Sequence, residues 1–430
     1  MKLLTRSIEQ ASPVLPAPVS SPDGGSLELG RQPKLMILYA SYGEGHLQAA
    51  KAIRDSLVQR GIHRTVLVDL MAEAHPLLNE LTRKIYRTSY TILPGVYGWV
   101  YDLTRPMKSN TLFAAWLHSF GRSKLRKLLQ QEQPDVLLHT FPIFAGPASR
   151  GLFRPPLTGA VVTDYDLHRR WVHPGIDRYY VATDDMQAEM RDAGIAPERI
   201  CVTGIPVRQG FEKCHQHSDR EQLLRYDLDP TLPLVLIMGG GSGIMNGITA
   251  ACSLLLQQPD LQIALVCGRN EAFASETRRH FHTHPAGDRL HVFGYVDALH
   301  ELMQLASCLV TKPGGLTLAE GLAAGVPLVL YRPMPGQERR NADFLIQKDV
   351  AAAAGTPAEL ADEILKLFAD PERLRERSHR QMELGKADGA IRIADDLLQR
   401  LFGYTDSEYH FSPSFDQGGH MDELYPEALR

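Results

Sequence analysis

The chain of 430 residues is 44% hydrophobic and 22% charged, with a formal net charge of -4. That length exceeds one ordinary hydrophobic core and suits two domains of about 180 residues each. The charge balance excludes a generally basic nucleic-acid binder, and no apolar run approaches the length of a membrane-spanning helix.

Residues 1–32 carry Pro13, Pro16, Pro18 and Pro22 and lack the apolar run of a secretory signal, so a disordered leader is expected. Structure is predicted to start with a buried strand over Lys34 to Ala40, followed by the turn Ser41-Tyr-Gly-Glu-Gly-His46 and a helix from Leu47 to Arg60. Strand, glycine turn and helix make a phosphate-loop geometry. The G-x-G here lacks the third glycine of the dinucleotide fingerprint, and the nearest acid on a second strand is Asp69. A nicotinamide domain is therefore disfavoured. Short strands follow at Asp135 to Thr140, Leu157 to Thr163, Arg178 to Ala182 and Ile200 to Thr203.

Between Arg83 and Lys127 the pattern changes. Arg83, Lys84, Arg87, Arg105, Lys108, Arg122, Lys124, Arg126 and Lys127 face one acid, Asp102, and alternate with Tyr86, Tyr90, Tyr97, Trp99, Tyr101, Phe113, Trp116 and Phe120. Basic residues with interfacial aromatics suit an anionic membrane surface, each cation contributing about 1 kcal/mol. The same composition suits ordinary helices with solvated charges, or a platform for single-stranded nucleic acid.

A break at Gly204 to Arg208 and a charged helical stretch lead to a second cycle, which opens with the strand Leu234 to Met238 and the run Gly239-Gly-Gly-Ser-Gly243. Strands are predicted at Ile263 to Cys267, Leu290 to Phe293, Cys308 to Thr311 and Pro327 to Leu330. Terminal helices lie within Asp370 to Phe402, and a mobile tail follows from residue 403 to 430. Two alternating halves, 33–205 and 206–402, imply an α/β protein of two Rossmann-like doubly wound domains facing across a cleft.

The densest cluster is Lys312 to Asn341. Gly314 and Gly315 let backbone approach a ligand, and the helix beginning near Leu316 and Thr317 offers unpaired amides to an anion. Glu320, one turn inside that helix, suits ribose hydroxyls. Phosphate plus sugar diol means a nucleotide. Among the titratable groups, His46 is a candidate base at the first glycine turn. Asp164 is its rival, or the group that orients it, and a helix-capping role for His46 stays open. Asp184 and Asp185 read as a helix cap. His168 with His173, and the set His280, His282 and His284, lack the acidic or thiolate partners of a zinc site. Cys201, Cys214, Cys252, Cys267 and Cys308 form no C-x-x-C pair and are expected to be reduced thiols.

Read in order, several segments resemble glycosyltransferase family 28, and more narrowly the monogalactosyldiacylglycerol synthases and processive diacylglycerol glucosyltransferases. They are Ser41 to Ala50, Val162 to Asp164 with His168 and Trp171 to His173, Gly204 to Arg208, Met238 to Gly241, Thr311 to Thr317, and Pro335 to Glu338. The departure is Glu44, where the usual turn has glycine. The resemblance implies the GT-B architecture and an inverting transfer from UDP-glucose or UDP-galactose to a diacylglycerol-type lipid. It also implies no metal and no cofactor besides the donor, and a cytoplasmic enzyme held peripherally on the inner face of the cell membrane.

On that reading His46 and Asp164 are catalytic. The donor is held by Arg208, Gly239, Gly240, Gly241, Ser242, Tyr295, Val296, Gly314, Gly315, Leu316, Thr317, Glu320, Gln337 and Glu338, with Asn341 supporting the last loop. Gly43, Glu44, Gly45, Arg83, Lys84, Arg87, Tyr97, Trp99 and Trp116 form the acceptor and membrane side. Rivals are a prenyl-linked lipid acceptor, an isomerase of the UDP-N-acetylglucosamine 2-epimerase kind, and a non-enzymatic UDP-sugar sensor.

Overall fold

A strand covered by helices on both faces has to be apolar along its whole length rather than at alternate positions. Residues 35–39, 234–238 and 262–266 nearly all meet that condition, and in the computed structural model of the chain they are buried strands. The structure describes residues 32–41, 43–74, 80, 94–107, 121–142, 152, 155–211, 219–239 and 245–402, and those from Pro33 onward belong to one compact unit.

The first half contains β1 (Leu35–Tyr39), α1 (Glu44–Gln59), β2 (Thr65–Asp69), α2 (Leu70–Ala74), α3 (Pro94–Thr104) and α4 (Arg122–Glu132). It continues through β3 (Val136–His139), β4 (Leu157–Val161), β5 (Arg178–Val181), α5 (Asp184–Asp192) and β6 (Ile200–Val202). Its six strands lie in the order β2-β1-β3-β4-β5-β6, all parallel.

The second half contains α6 (Asp219–Arg225), β7 (Leu234–Met238), α7 (Ile248–Leu255), β8 (Gln262–Val266), α8 (Glu271–Phe281), β9 (Leu290–Phe293), α9 (Leu299–Leu305) and β10 (Cys308–Thr311). After these come α10 (Gly315–Ala324), β11 (Leu328–Tyr331), α11 (Gln337–Gln347), β12 (Ala351–Ala354), α12 (Pro357–Ala369), α13 (Pro371–Leu384) and α14 (Gly389–Phe402). Its sheet is also parallel, in the order β12-β11-β10-β7-β8-β9. The two doubly wound α/β domains expected from the sequence are therefore present.

Strand order reverses at β1/β3 in one sheet and at β7/β10 in the other, and ligands bind beyond the carboxyl ends of strands at such points. Leu38 is in register with His139 and Met238 with Thr311. The turn ending at Gly45 thus leaves its sheet beside Thr140, and Gly239 leaves the other beside Lys312.

Three local details differ from the sequence expectation. Helix α1 begins at Glu44 rather than Leu47, so Glu44, Gly45 and His46 form its first turn. Pro335 to Glu338 is not all loop: Gly336, at φ 92° and ψ -134°, turns the chain into α11, whose first residues are Gln337 and Glu338. Only glycine adopts that backbone without strain. Strand β12 is a run of four alanines and was not anticipated.

Helix α14 returns to the first sheet. Its Ile393, Ala394 and Leu397 share an apolar cluster with Ala50, Ile53 and Leu57 of α1, and Asp396 takes an ion pair from Arg178 and the Tyr180 hydroxyl at 2.9 Å.

Candidate active site

On the first-domain side, His46 lies in the opening turn of α1. Its Nδ1 is 3.1 Å from Thr163 Oγ1, just past β4, and its ring meets Phe141 edge-on at 5.0 Å. Thr140 Oγ1 donates to the His46 carbonyl at 3.1 Å and to the Leu38 carbonyl at 3.2 Å, which ties the turn to the end of β3. Burial pulls the imidazolium down to about 4, opposed by a hydrogen bond to the backbone at Thr140. The partly buried ring is therefore neutral near pH 7 and keeps one unprotonated nitrogen, as a base requires. Gly43 precedes the helix in extended conformation with no side-chain cap. Glu44, in the first turn, reaches Arg269 of the second domain at 3.6 Å.

The opposite wall is the start of α10, which follows Gly314. The first amides of this helix lack intrahelical partners, and its dipole adds positive potential there. Gly315 is pressed against the other domain: a Cβ on it would lie 2.0 Å from the Thr163 carbonyl oxygen. Its lack of a side chain is thus required by protein as well as suited to a ligand. Leu316 Cβ is 3.6 Å from the position a Cβ on Gly45 would take, so the openings of α1 and α10 touch. Thr317 is partly buried beside it.

Glu320 is buried rather than exposed on the helix surface, with Arg208 Nε 3.5 Å from its Oε1. Burial raises its carboxyl to about 7, and the Arg208 charge opposes the rise. Arg208, expected at a diphosphate, instead pairs here with Glu320 and donates to the Asp297 carbonyl at 3.1 Å. Tyr295 is 56% exposed with the Arg269 guanidinium 5.4 Å over its ring, while Val296 packs on the main core. Tyr295 is thus open to stack a base. Gly239 is buried at the end of β7. Gly240, Gly241, Ser242, Arg83, Lys84, Arg87, Trp116 and the side chain of Tyr97 lie outside the described residues.

Asp164 occupies the joint between the halves. Its Oδ1 accepts from Gln337 Nε2 and, at 3.3 Å, from Asn341 Nδ2. Burial raises its carboxyl to about 6, against the pull of these two amides and with a contribution from Asp166. The His46 ring is met by the Thr163 hydroxyl, while Asp164 bonds Gln337 and Asn341. Glu338 Oε2 accepts the Met334 amide at 3.2 Å, closing the turn before α11. Sequence reasoning quoted Thr163 only as part of Val162 to Asp164 and missed its contact with His46, and it missed Arg269, because a lone arginine carries no pattern. His168 and His173 close local turns, their Nδ1 atoms accepting the Arg170 amide at 3.2 Å and the Gly175 amide at 3.1 Å. Asp184 and Asp185 open α5 as its first-turn acids, but the cap expected of them is Thr183, whose hydroxyl accepts the Met186 amide.

At the mouth of this joint lies α3. Tyr101 and Arg105 both bond Asp166, the arginine in a fork at 2.7–3.1 Å, and Arg340 of α11 pairs with Asp102 at 2.9 Å. Gly98 is pressed on Pro335, where a Cβ would lie 2.4 Å from the Pro335 Cβ. The other face presents Val96, Trp99, Val100 and Leu103, which are 45–66% exposed.

Residues 46–207 match the family model for monogalactosyldiacylglycerol (MGDG) synthase, and residues 242–383 the model for glycosyl transferases group 1. The chain is 34% identical over 391 residues to a processive diacylglycerol beta-glucosyltransferase of Bacillus cytotoxicus, covering 90% of this chain and 99% of that protein. It is 36% identical over 372 residues to one of Bacillus thuringiensis, covering 86% and 94%. Among solved structures, the S. aureus MnaA-UDP co-structure aligns with TM-score 0.57 at 16% identity, over 86% of this chain and 97% of that one. Acinetobacter baumannii MurG aligns with TM-score 0.56 at 18% identity, over 86% and 100%. These two show the shared fold. The chain belongs to the glycosyltransferase family of the processive diacylglycerol beta-glucosyltransferases and has the GT-B fold.

Proposed function

We propose that this chain moves a hexosyl group from its UDP donor to diacylglycerol at a membrane surface, in one displacement that inverts the anomeric carbon. The observation that carries this reading is the contact between the openings of α1 and α10, which brings His46 and the anion-binding helix start to one cleft. The acceptor hydroxyl oxygen bonds to the anomeric carbon as the bond from that carbon to the diphosphate oxygen breaks. His46 takes the hydroxyl proton, and UDP leaves with the bonding electron pair toward the amides of α10. Glu320 receives the ribose hydroxyls, which displaces Arg208 toward the diphosphate, and Tyr295 with Val296 flanks the uracil. The donor is UDP-glucose or UDP-galactose, and the relatives' name favours glucose. The chemistry uses no metal and no further cofactor.

One feature favours a neutral lipid over a diphosphate-linked one, and a second favours a membrane surface. Glu44 places a carboxylate in the first turn of α1, where a second anion would be repelled. The outward stripe Val96, Trp99, Val100 and Leu103 follows helical spacing, i, i+3, i+4 and i+7, and suits the acyl boundary of a membrane. On this reading the enzyme works peripherally on the inner face of the cell membrane, whose anionic lipids attract the basic residues around α3.

The test is to incubate the protein with UDP-glucose or UDP-galactose and diacylglycerol in anionic vesicles, and to weigh the lipid products. A hexosyl-diacylglycerol from one donor is expected, lost in His46→Ala while UDP binding persists. No lipid product from either donor, or full turnover by His46→Ala, would reject the reading.

A further inference from the structure

The segment after β4, Thr163 to Tyr165, is enclosed by two elements of the second domain, α10 and α11. Gly315 lies against the Thr163 carbonyl, Gln337 bonds Asp164, and the Phe344 ring stacks on Tyr165 with centroids 5.7 Å apart and planes 17° apart. Asn341 is at the centre of this joint and fully buried. Its Oδ1 accepts the Tyr165 amide at 2.9 Å, and its Nδ2 donates to the Pro313 carbonyl at 3.1 Å and to Asp164 Oδ1 at 3.3 Å.

We infer that Asn341 is a positioning residue for sugar transfer, whose side-chain amide fixes the register between the half that carries His46 and the half that binds the donor diphosphate. The inference rests on the proposed roles of His46 and α10. The path is short: His46 touches Thr163, Thr163 touches Gly315, and Gly315 opens α10. Asn341 holds both sides of that path, through Tyr165 and Asp164 on one and Pro313 on the other. A carboxamide suits the position because it offers an acceptor and two donors in one plane, and all three are used. Aspartate has the same shape but no donor, and leucine has neither. Because Asn341 reaches the reaction through other residues, its loss acts on turnover more than on donor binding, and a misplacement of about 1 Å lowers turnover by roughly 100-fold.

Asn341→Asp sets two carboxylates against each other in a buried joint. The titratable and charged groups facing it are Asp164, Asp166 with its Arg105 partner, His46 beyond Thr163, and Glu338 on the same helix. At pH 8 both carboxylates are charged and the joint is forced apart. As the pH falls toward 6 they share one proton and a hydrogen bond returns.

The measurement is steady-state turnover and UDP affinity for Asn341→Asp and Asn341→Leu, with X-ray scattering on the same proteins. In Asn341→Asp, kcat should fall about 100-fold at pH 8 with UDP affinity within about 2-fold, and recover toward pH 6, a range over which wild-type turnover stays level. The leucine variant should gain none from acid. The radius of gyration of Asn341→Asp should be larger at pH 8 than at pH 6. A pH-independent loss, a loss confined to UDP affinity, or identical scattering at the two pH values would overturn the proposal. If the wild-type protein forms no glycolipid, the functional reading fails, while the scattering still decides whether Asn341 holds the joint.

Discussion

His46 and Glu320 belong to opposite halves of the chain, and burial displaces them in opposite directions. The His46 ring is held down at about 4, so the folded protein keeps it neutral where the unfolded chain, at 6.5, would protonate it. Its contribution to stability is present above 6.5 and lost as pH falls through about 4, and its readiness as a base follows the same limb. Glu320 is raised to about 7. Its contribution is intact below the ordinary glutamate value of 4.5 and lost as pH rises through about 7 in the free protein. Ribose hydroxyls donate to a carboxylate, so UDP binding favours the ionised form and drives off a proton held by about half of the molecules at pH 7. Calorimetry in buffers of different ionisation heat should therefore register proton release on UDP binding near pH 7, with affinity declining toward pH 6. Glu320→Gln should bind more weakly and release none. The acid limb of transfer should lie well below 6.5, and a limb at 6.5 would show a solvated imidazole. Equal proton release by wild type and Glu320→Gln would remove Glu320 from the ribose site.

At the scale of elements, α3 reverses the usual arrangement of a surface helix. Its apolar stripe points outward, while Tyr101, Asp102 and the Gly98 backbone hold its inner side. Burying one large apolar side chain contributes about 1.5–3 kcal/mol, so replacing Trp99 and Leu103 together by glutamate should reduce partition into anionic vesicles by at least about 100-fold. Both side chains are exposed, so UDP affinity and melting temperature should hold. Unchanged flotation would return α3 to an ordinary surface element. The sequence announced the stripe only as composition, because the helix could be placed in several registers among its aromatics. The strands were legible for a firmer reason: a parallel sheet buried on both faces needs unbroken apolar runs, and glycine turns bound them. Strand β12 was hidden because Ala351 to Ala354 is a run of strong helix formers whose neighbours decide otherwise. The start of α11 was hidden behind Pro335 and Gly336, which read as turn residues whatever follows. The pairing of Arg208 with Glu320, and of Asn341 with Asp164 and Tyr165, depends on how two domains close, which no local pattern records.

At the scale of the molecule, the chain crosses between its halves twice, and the crossing segments lie together: the Lys386 side chain packs on Gly204, and Gly389 packs on the Thr203 and Ile205 carbonyls. The second crossing delivers α14 to the first sheet, so the first half is completed by the last described helix. The pair Arg178–Asp396 fixes it, with side chains only 10% and 14% exposed. Removing one partner of a buried pair leaves the other charge uncompensated and costs about 3–5 kcal/mol. Asp396 also holds the Tyr180 hydroxyl and, at 3.2 Å, Arg400, so Asp396→Ala should fall at the upper end. For domains of this size 1 kcal/mol corresponds to about 2–4 °C, and a melting shift of about 10 °C or more is expected. The shift should appear in the transition of the first domain, although residue 396 belongs to the second half by sequence, and saturating UDP should not rescue it, because the ligand binds mainly to the other sheet. Scanning calorimetry with and without UDP separates the cases. A shift confined to the UDP-stabilised transition would mean that α14 belongs thermodynamically to the donor half. The first half would then have to fold without it.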